Sequence, residues 1–213
     1  MNQAHAAHPA AAHGKTLILL FHPSLARSKA NRALAGAAQA LPGVEVVDMQ
    51  ALYPHGRMDD TPAIDTEVAR LLAADRIVLQ FPVQWYSTPP LLQAWQDAVL
   101  THMFYIAYEA QGRRLEGTPL LVAATAGNVA EAYSAQGMNL FALPDLLRPL
   151  QSTAHRCGLP WSEPFVLYGA SQLDEGQCAR AAQAYASRLA QWISRTGRPV
   201  TGDAAAGLAA EAA

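Results

Sequence analysis

The sequence contains little of what marks several large classes of protein. Its 213 residues include only two cysteines, Cys157 and Cys178, and neither belongs to a Cys-x-x-Cys pair, so neither a disulfide framework nor a zinc site is expected. Charged residues make up 15% of the chain, well below the usual quarter, and the formal net charge is −2. This balance gives no electrostatic reason to expect a nucleic acid or an anionic membrane as a partner.

Long apolar runs and targeting signals are also missing. No run of 18 apolar residues occurs, and the alanine-rich start lacks the basic and then apolar pattern of a signal peptide. We therefore expect a cytoplasmic protein with one domain over residues 15–196. Residues 1–14, which contain three histidines but no pattern that would position them around a metal, are expected to form a disordered tail, and residues 197–213 a second flexible tail.

Hydrophobic patterns predict five strands that alternate with helices. Short apolar runs typical of buried strands lie at residues 15–21, 44–48, 76–81, 120–124 and 165–168. The last predicted helix, over 175–195, repeats apolar residues in steps of three and four: Cys178, Ala182, Tyr185, Leu189 and Trp192. Such alternation implies right-handed crossovers and an α/β fold, a doubly wound five-stranded parallel sheet of order 2-1-3-4-5 in a three-layer α/β/α arrangement.

The segment that follows the third predicted strand is the most informative part of the chain. It reads Gln-Phe-Pro-Val-Gln-Trp-Tyr-Ser-Thr-Pro-Pro over residues 80–90. Ser87 or Thr88 is expected to cap the next helix, with the two prolines in its first turn. This places Gln84, Trp85 and Tyr86 at the carboxyl end of a parallel strand, where open α/β sheets bind ligands, and the aromatic pair suggests a flat ligand.

Two further loops follow the neighbouring strands. The loop after strand one begins with His22 and places Ser28, Lys29 and Asn31 at a helix N-terminus, which suits a phosphate group. The loop after strand four begins Thr125-Ala126-Gly127.

Each of these loops alone has a plainer interpretation, such as a helix cap, a loop histidine or an aromatic rim of the core. Their coincidence on adjacent strands favours a nucleotide with a flat ring. No Gly-x-Gly-x-x-Gly follows strand one, and neither a Walker A lysine nor a Gly-x-Ser-x-Gly elbow occurs. The pattern therefore indicates a pocket of the flavin mononucleotide kind.

A set of short motifs distributed over residues 15–192 carries a more specific resemblance. They are His22-Pro23 with Ser28-Lys29-Ala30-Asn31, Leu52-Tyr53-Pro54, the 80–90 segment, Thr125-Ala126-Gly127, Ala132-Tyr133 with Gly137 and Asn139, and 147–154 before Cys157-Gly158. With these motifs the chain resembles the flavodoxin-like NAD(P)H:quinone oxidoreductase family, in its KefF/YheR-like branch of ancillary proteins of glutathione-gated potassium efflux systems. The resemblance implies a flavodoxin-like fold and FMN, or alternatively FAD, as cofactor.

The resemblance also implies which residues form the site. Cofactor contacts are expected from His22, Ser28, Lys29, Ala30, Asn31, Pro82, Val83, Gln84, Trp85, Tyr86, Thr125, Ala126, Gly127 and Asn128. Within this set, residues 83–86 would line one edge of the isoalloxazine ring and bring a backbone N–H near N5. Tyr133 is expected to assist catalysis by hydrogen bonding where charge develops on the flavin.

Asn139 is the second catalytic candidate and a departure from the pattern. It stands six residues after Tyr133, where the better-known quinone reductases carry a histidine. An amide can donate a hydrogen bond but cannot relay a proton near neutral pH. A second departure is Thr125-Ala126-Gly127-Asn128 in place of the family's Thr-Thr-Gly-Gly, which removes a hydroxyl and adds a side chain.

Two functions follow from the resemblance. The first is a flavin-dependent oxidoreductase that passes a hydride from NAD(P)H through flavin N5 to a quinone in a ping-pong cycle. The alternative is a regulatory subunit of a potassium efflux channel, held at the inner membrane by that partner. A homodimer is implied in either case, through the helix face that carries Gln93, Asp97 and His102.

Two other proteins with such a fold fit less well. A one-electron carrier would need a strongly acidic surface for its redox partners, and a net charge of −2 argues against it. A phosphate-accepting receiver domain would need acidic residues at the ends of strands one and three, where His22 and Pro82 stand.

Overall fold

The fold is built from five strands and the helices that connect them. The computed structural model describes residues 14–58 and 61–197, so the two predicted tails, apart from Gly14 and Gly197, lie outside the described residues. The strands are β1 Thr16–Leu20, β2 Val44–Asp48, β3 Arg76–Pro82, β4 Leu120–Thr125 and β5 Phe165–Leu167. All five predicted strands are therefore present, each within two residues of its expected ends.

Helices fill the connections between the strands. They are α1 Lys29–Gln39, α2 Met49–Leu52, α3 Thr61–Leu72, α4 Pro90–Trp95, α5 Arg113–Leu115, α6 Leu143–Leu146, α7 Arg148–Arg156 and α8 Glu175–Arg195. Short 3-10 turns lie at Leu25–Arg27 and Ala130–Ala132. None of the helices in the described part of the chain is long and apolar enough to cross a membrane.

The sheet is parallel throughout and has the order β2-β1-β3-β4-β5, which confirms the predicted topology. Its central strands are buried on both faces, as a parallel sheet between two helical layers requires. Side chains alternate along β1: Leu17 and Leu19 join one apolar cluster, and Ile18 joins the other. Helices α3, α4 and α7 cover the first face, and α1 and α8 cover the second.

Two helices with side-chain N-caps begin at the carboxyl edge of the sheet. Ser28 caps α1 by accepting from Asn31 N at 3.2 Å, and Asp174 forms a capping box with Gln177 at the start of α8. The predicted α8 stripe is confirmed, because Cys178, Ala182, Tyr185, Leu189 and Trp192 are all buried. Both helices begin at the carboxyl edge of the sheet, where the loops of the predicted site also lie.

The predicted side-chain cap of the helix after β3 is wrong. Helix α4 begins at Pro90 with Pro89 as its N-cap residue, and no side chain bonds to its first turn. The reason is local: Gln84 and Ser87 exchange two main-chain hydrogen bonds of 3.0 Å, which close a tight turn before the helix starts. The chain then enters α4 through an extended Pro89.

The helix after β3 is also less regular than the sequence pattern predicts. Beyond Trp95 the chain widens into π-helical segments at Gln96–Leu100, His102–Ile106 and Tyr108–Gly112. Leu92, Trp95 and Val99 of this segment are nevertheless buried in the core. π-Helical turns displace the register of a helix and are frequent next to functional sites.

Candidate functional site

A large cleft lies at the carboxyl edge of the sheet. It encloses about 890 Å³ and is lined by ten of the predicted site residues: His22, Ser28, Lys29, Ala30, Asn31, Pro82, Val83, Gln84, Thr125 and Gly127. The loops after β1, β3 and β4 therefore converge on one space. The predicted strand order accounts for this convergence, because it makes the carboxyl ends of β1, β3 and β4 adjacent.

A fourth wall of this cleft was missed in the sequence. It consists of residues 170–174, which connect β5 to α8. Ser171 Oγ donates to the carbonyl of Gly127 at 2.9 Å, and Ala170 N donates to Ala126 O at 2.9 Å, so this loop is tied to the loop after β4. The predicted strand order could have indicated it, since β5 lies next to β4.

The loop after β1 provides groups that suit an anion. His22 Nδ1 accepts from Ser24 N at 3.0 Å, so the hydrogen of a neutral ring is on Nε2. Burial lowers the pKa of His22, against a smaller opposing effect of Asp48, so the ring is a neutral donor at pH 7. Arg27 and Lys29 add positive charge beside the N-terminus of α1, whose first amides have no acceptor within the helix.

The turn at residues 84–87 is strained. Trp85 and Tyr86 have φ values of 44° and 65°, a left-handed conformation that costs a bulky residue free energy. Two residues of positive φ between the mutual hydrogen bonds of Gln84 and Ser87 are the arrangement of a two-residue type I′ turn. Strain of this kind is typical of segments whose conformation serves a site.

Hydrogen bonding around this turn narrows which amides could reach a ligand. Val83 N donates to Thr125 O at 2.8 Å and Gln84 N to Ser87 O, so both are engaged. The amides of Trp85 and Tyr86 donate to no described group. The Trp85 side chain is 92% exposed and does not line the cleft as the loops stand, whereas Val83 and Gln84 do.

The loop after β4 divides between the cleft and the core. Thr125 and Gly127 line the cleft, but Ala126 is only 1% exposed, and its amide donates to Leu167 O at 2.8 Å. Asn128 accepts from Val129 N through Oδ1 at 2.9 Å and does not line the cleft. Position 126 therefore belongs to the core and not to the wall of the cleft.

The two catalytic candidates do not pair with each other. Asn139 Oδ1 accepts from the hydroxyl of Tyr86 at 3.3 Å, while Tyr133 packs against Tyr168 with ring centroids 5.6 Å apart. Burial, helped by Tyr86 and Tyr168, raises the pKa of Tyr133, so its hydroxyl keeps its proton at neutral pH. Neither candidate lines the cleft itself.

A second groove of about 480 Å³ adjoins the cleft at Val83, which lines both. Its walls are α4 with the π-helical segments on one side and α6 and α7 on the other, and Tyr86 lies at its edge. Cys157 also lines the groove, but it is 3% exposed and burial raises the pKa of its thiol to about 11. That thiol is therefore protonated and unsuited to nucleophilic chemistry.

Comparison with known families identifies the class of protein. The model of the family described as having a flavodoxin-like fold matches residues 14–189, and the chain belongs to this family. Among curated sequences, the uncharacterized NAD(P)H oxidoreductase YdeQ of Bacillus subtilis is 36% identical over 83% of this chain and 87% of its own length. The potassium-efflux ancillary protein KefF of Klebsiella pneumoniae is 37% identical over 83% and 95%.

Solved structures agree on the fold. General stress protein 14 of Treponema denticola, in complex with FMN, has a TM-score of 0.74 and 31% identity, covering 83% of this chain and 98% of its own. An NADPH-quinone reductase of P. pentosaceus has a TM-score of 0.67 and 28% identity, covering 82% and 96%. A chain described as a tryptophan halogenase of Streptomycin violaceusniger has a TM-score of 0.73 and 38% identity, covering 81% and 97%. The fold alone therefore does not select the reaction.

Proposed function

We propose that the protein is an FMN-dependent NAD(P)H:quinone oxidoreductase. The observation that carries the proposal is the convergence of the loops after β1, β3 and β4 on one cleft of about 890 Å³ at the carboxyl edge of the sheet. The oxidoreductase and quinone reductase names of relatives above 25% identity support the reaction class. FMN is favoured over FAD because a relative of 31% identity binds it.

The residues of the cleft fit such a cofactor. The phosphate would be held at the N-terminus of α1 by free amides and the Ser28 hydroxyl, near Arg27 and Lys29. The ring would lie toward the 82–86 segment and Thr125-Gly127, with the amides of Trp85 or Tyr86 as donors near N5. When bound, the flavin supplies the chemistry by accepting a hydride from the nicotinamide and passing it to the acceptor.

The protein's own part is to bind and to orient. The strained 84–87 turn would fix the amides of Trp85 and Tyr86 at the edge of the cleft before a ligand arrives. Binding then costs little further conformational entropy in this turn. Tyr133, whose pKa is raised, remains a hydrogen-bond donor in the neutral range. We propose that Tyr133 donates a hydrogen bond where negative charge develops on the flavin. Asn139 accepts from the Tyr86 hydroxyl and would hold Tyr86 beside Tyr133.

The groove beside the cleft is proposed to be covered by a second copy of the chain. Tyr105 lines the groove and is 70% exposed, and the next residue, Ile106, is 73% exposed. Gln93 and Asp97 on the same helical face are exposed and hydrogen-bonded to each other at 3.0 Å. A homodimer would remove this apolar surface from water, and Ile106→Asp is expected to yield a monomer in light-scattering measurements.

A role beside a potassium channel is the second candidate, favoured by 37% identity with KefF. The two functions place the protein in the cytoplasm, the second at the inner membrane through its partner. They are distinguished by co-purification: a channel subunit that retains this chain after detergent extraction would support the second, whereas quinone turnover without a channel effect supports the enzyme alone.

The enzyme proposal is tested with purified protein. We expect a yellow protein that releases FMN on denaturation and oxidises NADH or NADPH when a quinone is added. Initial rates at varied concentrations of both substrates should give the parallel lines of a ping-pong cycle. Protein that is colourless and cannot be reconstituted with FMN or FAD would contradict the proposal.

A further inference from the structure

Two buried amide side chains lie one behind the other at the wall of the cleft, which Asn31 lines and Gln80 does not. Asn31 on the first turn of α1 is 2% exposed and Gln80 on β3 is 0% exposed. Gln80 Nε2 donates to Asn31 O at 3.1 Å and lies 3.5 Å from Asn31 Oδ1. Gln80 Oε1 has no hydrogen-bond partner among the described residues, which costs free energy in a buried position. Stability alone therefore does not account for a glutamine here.

The polarity of this pair is fixed by the backbone. A main-chain carbonyl can only accept, so Gln80 must present its NH₂ group to Asn31 O. The same NH₂ group faces Asn31 Oδ1, which leaves Asn31 Nδ2 on the opposite side. There Asn31 Nδ2 donates to Thr125 Oγ1 at 2.9 Å and lies 3.4 Å from Ser28 Oγ.

Both hydroxyls at the cleft wall are thereby used as acceptors. Thr125 Oγ1 accepts from the Asn31 amide, and Ser28 Oγ accepts from Asn31 N at 3.2 Å. Each hydroxyl has one proton, and neither donates it to any group in residues 14–58 and 61–197. Since both residues line the cleft, these protons are free to point into it.

We propose that Gln80 and Asn31 are positioning residues that turn the Ser28 and Thr125 hydroxyl protons toward the cleft, as paired donors for the acceptor-rich phosphate and polyol part of its ligand. The inference rests on the proposed function for the identity of the probe, FMN. It assigns a role to Gln80, which lies outside the cleft, and it makes Asn31 act through the two hydroxyls. An oriented chain of hydrogen bonds of this kind rigidifies a site before binding.

The test is a double-mutant cycle read out as FMN affinity. Gln80→Met keeps side-chain volume and removes the amide, and Thr125→Val removes the hydroxyl. Each is expected to raise the FMN Kd about 3- to 10-fold, the range for losing one hydrogen bond. The FMN Kd of the double variant is expected to rise by clearly less than the product of the two single increases, because Gln80 acts partly through Thr125. Thr125→Ser, which restores the hydroxyl, is expected to return the Kd to within about twofold of wild type.

Gln39→Met is the control variant. Gln39, on α1, is a glutamine whose side chain is hydrogen-bonded like that of Gln80, but its partners are Val44 O and Val46 N, away from the cleft. Its FMN Kd should be unchanged. If circular dichroism shows that Gln80→Met does not fold, Asn31→Ala replaces it, because it removes the amide that faces Thr125 and Ser28 and adds no charge beside the proposed phosphate site.

The outcomes separate this inference from the proposed function. The positioning role alone would be overturned if the wild-type protein binds FMN and Gln80→Met leaves the FMN Kd unchanged. The same holds if the effects of Gln80→Met and Thr125→Val on the FMN Kd multiply exactly. Wild-type protein that binds no flavin would overturn both.

Discussion

The hydroxyl of Tyr86 donates to Asn139 Oδ1 across 3.3 Å, which connects the strained turn after β3 to the loop after β4. The two residues are 53 positions apart in the sequence. Asn139 therefore acts on the aromatic turn and not on Tyr133, six residues before it. An amide side chain does not titrate, so Asn139 keeps its acceptor oxygen throughout the neutral pH range.

This connection predicts a specific pattern of coupling. Tyr86→Phe and Asn139→Ala should each lower kcat/KM for quinone reduction by about two- to fivefold, and the double variant should be no worse than either, because both remove one hydrogen bond. Tyr133→Phe should combine with Asn139→Ala multiplicatively. Steady-state kinetics of the five variants check this, and strong coupling between Tyr133 and Asn139 would contradict the observed pairing.

The positive φ of Trp85 predicts a difference between two small replacements. Trp85→Gly should be more stable than Trp85→Ala by about 1 kcal/mol, because glycine adopts the left-handed region without strain. Both variants should bind FMN more weakly, since both lose the indole. Urea unfolding measures the first effect and fluorescence titration the second. Equal FMN affinity in wild type and both variants would remove Trp85 from the site.

A buried and a partly buried tyrosine should respond differently to loss of their hydroxyls. Tyr185 is 0% exposed, and its hydroxyl has no partner in the described part of the chain, so Tyr185→Phe should leave stability unchanged or raise it by up to about 1 kcal/mol. Tyr53 donates to the buried Glu67 carboxylate at 3.0 Å, so Tyr53→Phe should lower stability by roughly 1–2 kcal/mol. Denaturant midpoints at pH 7 compare the pair, and a clear loss in Tyr185→Phe would refute the first expectation.

The lowered pKa of His22 predicts a pH dependence of stability. The unfolded chain binds a proton at this residue near pH 6.5, but the folded protein does so only at lower pH because burial disfavours the charged ring. Stability should therefore be fully present above about pH 6.5 and fall as the pH drops toward the folded-state pKa.

The variant His22→Asn isolates this contribution. Its side-chain oxygen can still accept from Ser24 N, but it does not titrate. Melting temperatures measured between pH 8 and pH 5 should fall less in this variant than in wild type, with similar values at pH 8. Parallel curves over the whole range would show that His22 does not contribute.

The sequence could predict the fold because the signals are local and agree with one another. Buried strands read as short apolar runs, and the α8 stripe of Cys178 to Trp192 repeats at helical spacing, so both survive in the structure. The cap of α4 could not be predicted in the same way. Ser87 has the right chemistry for a cap, but its backbone is already committed to Gln84, and a turn of two left-handed aromatic residues goes against their intrinsic preference.

By itself, the sequence determined the order of the strands, the convergence of three loops and most of the residues that line the cleft, because strand order and loop position follow from hydrophobic period and chain connectivity. Only the tertiary structure decided which side chains face the cleft. It turned Ala126 into the core, paired Asn139 with Tyr86, brought in residues 170–174, and set Gln80 behind Asn31. These outcomes depend on hydrogen bonds between residues far apart in the chain, whose geometry exists only once the sheet has formed.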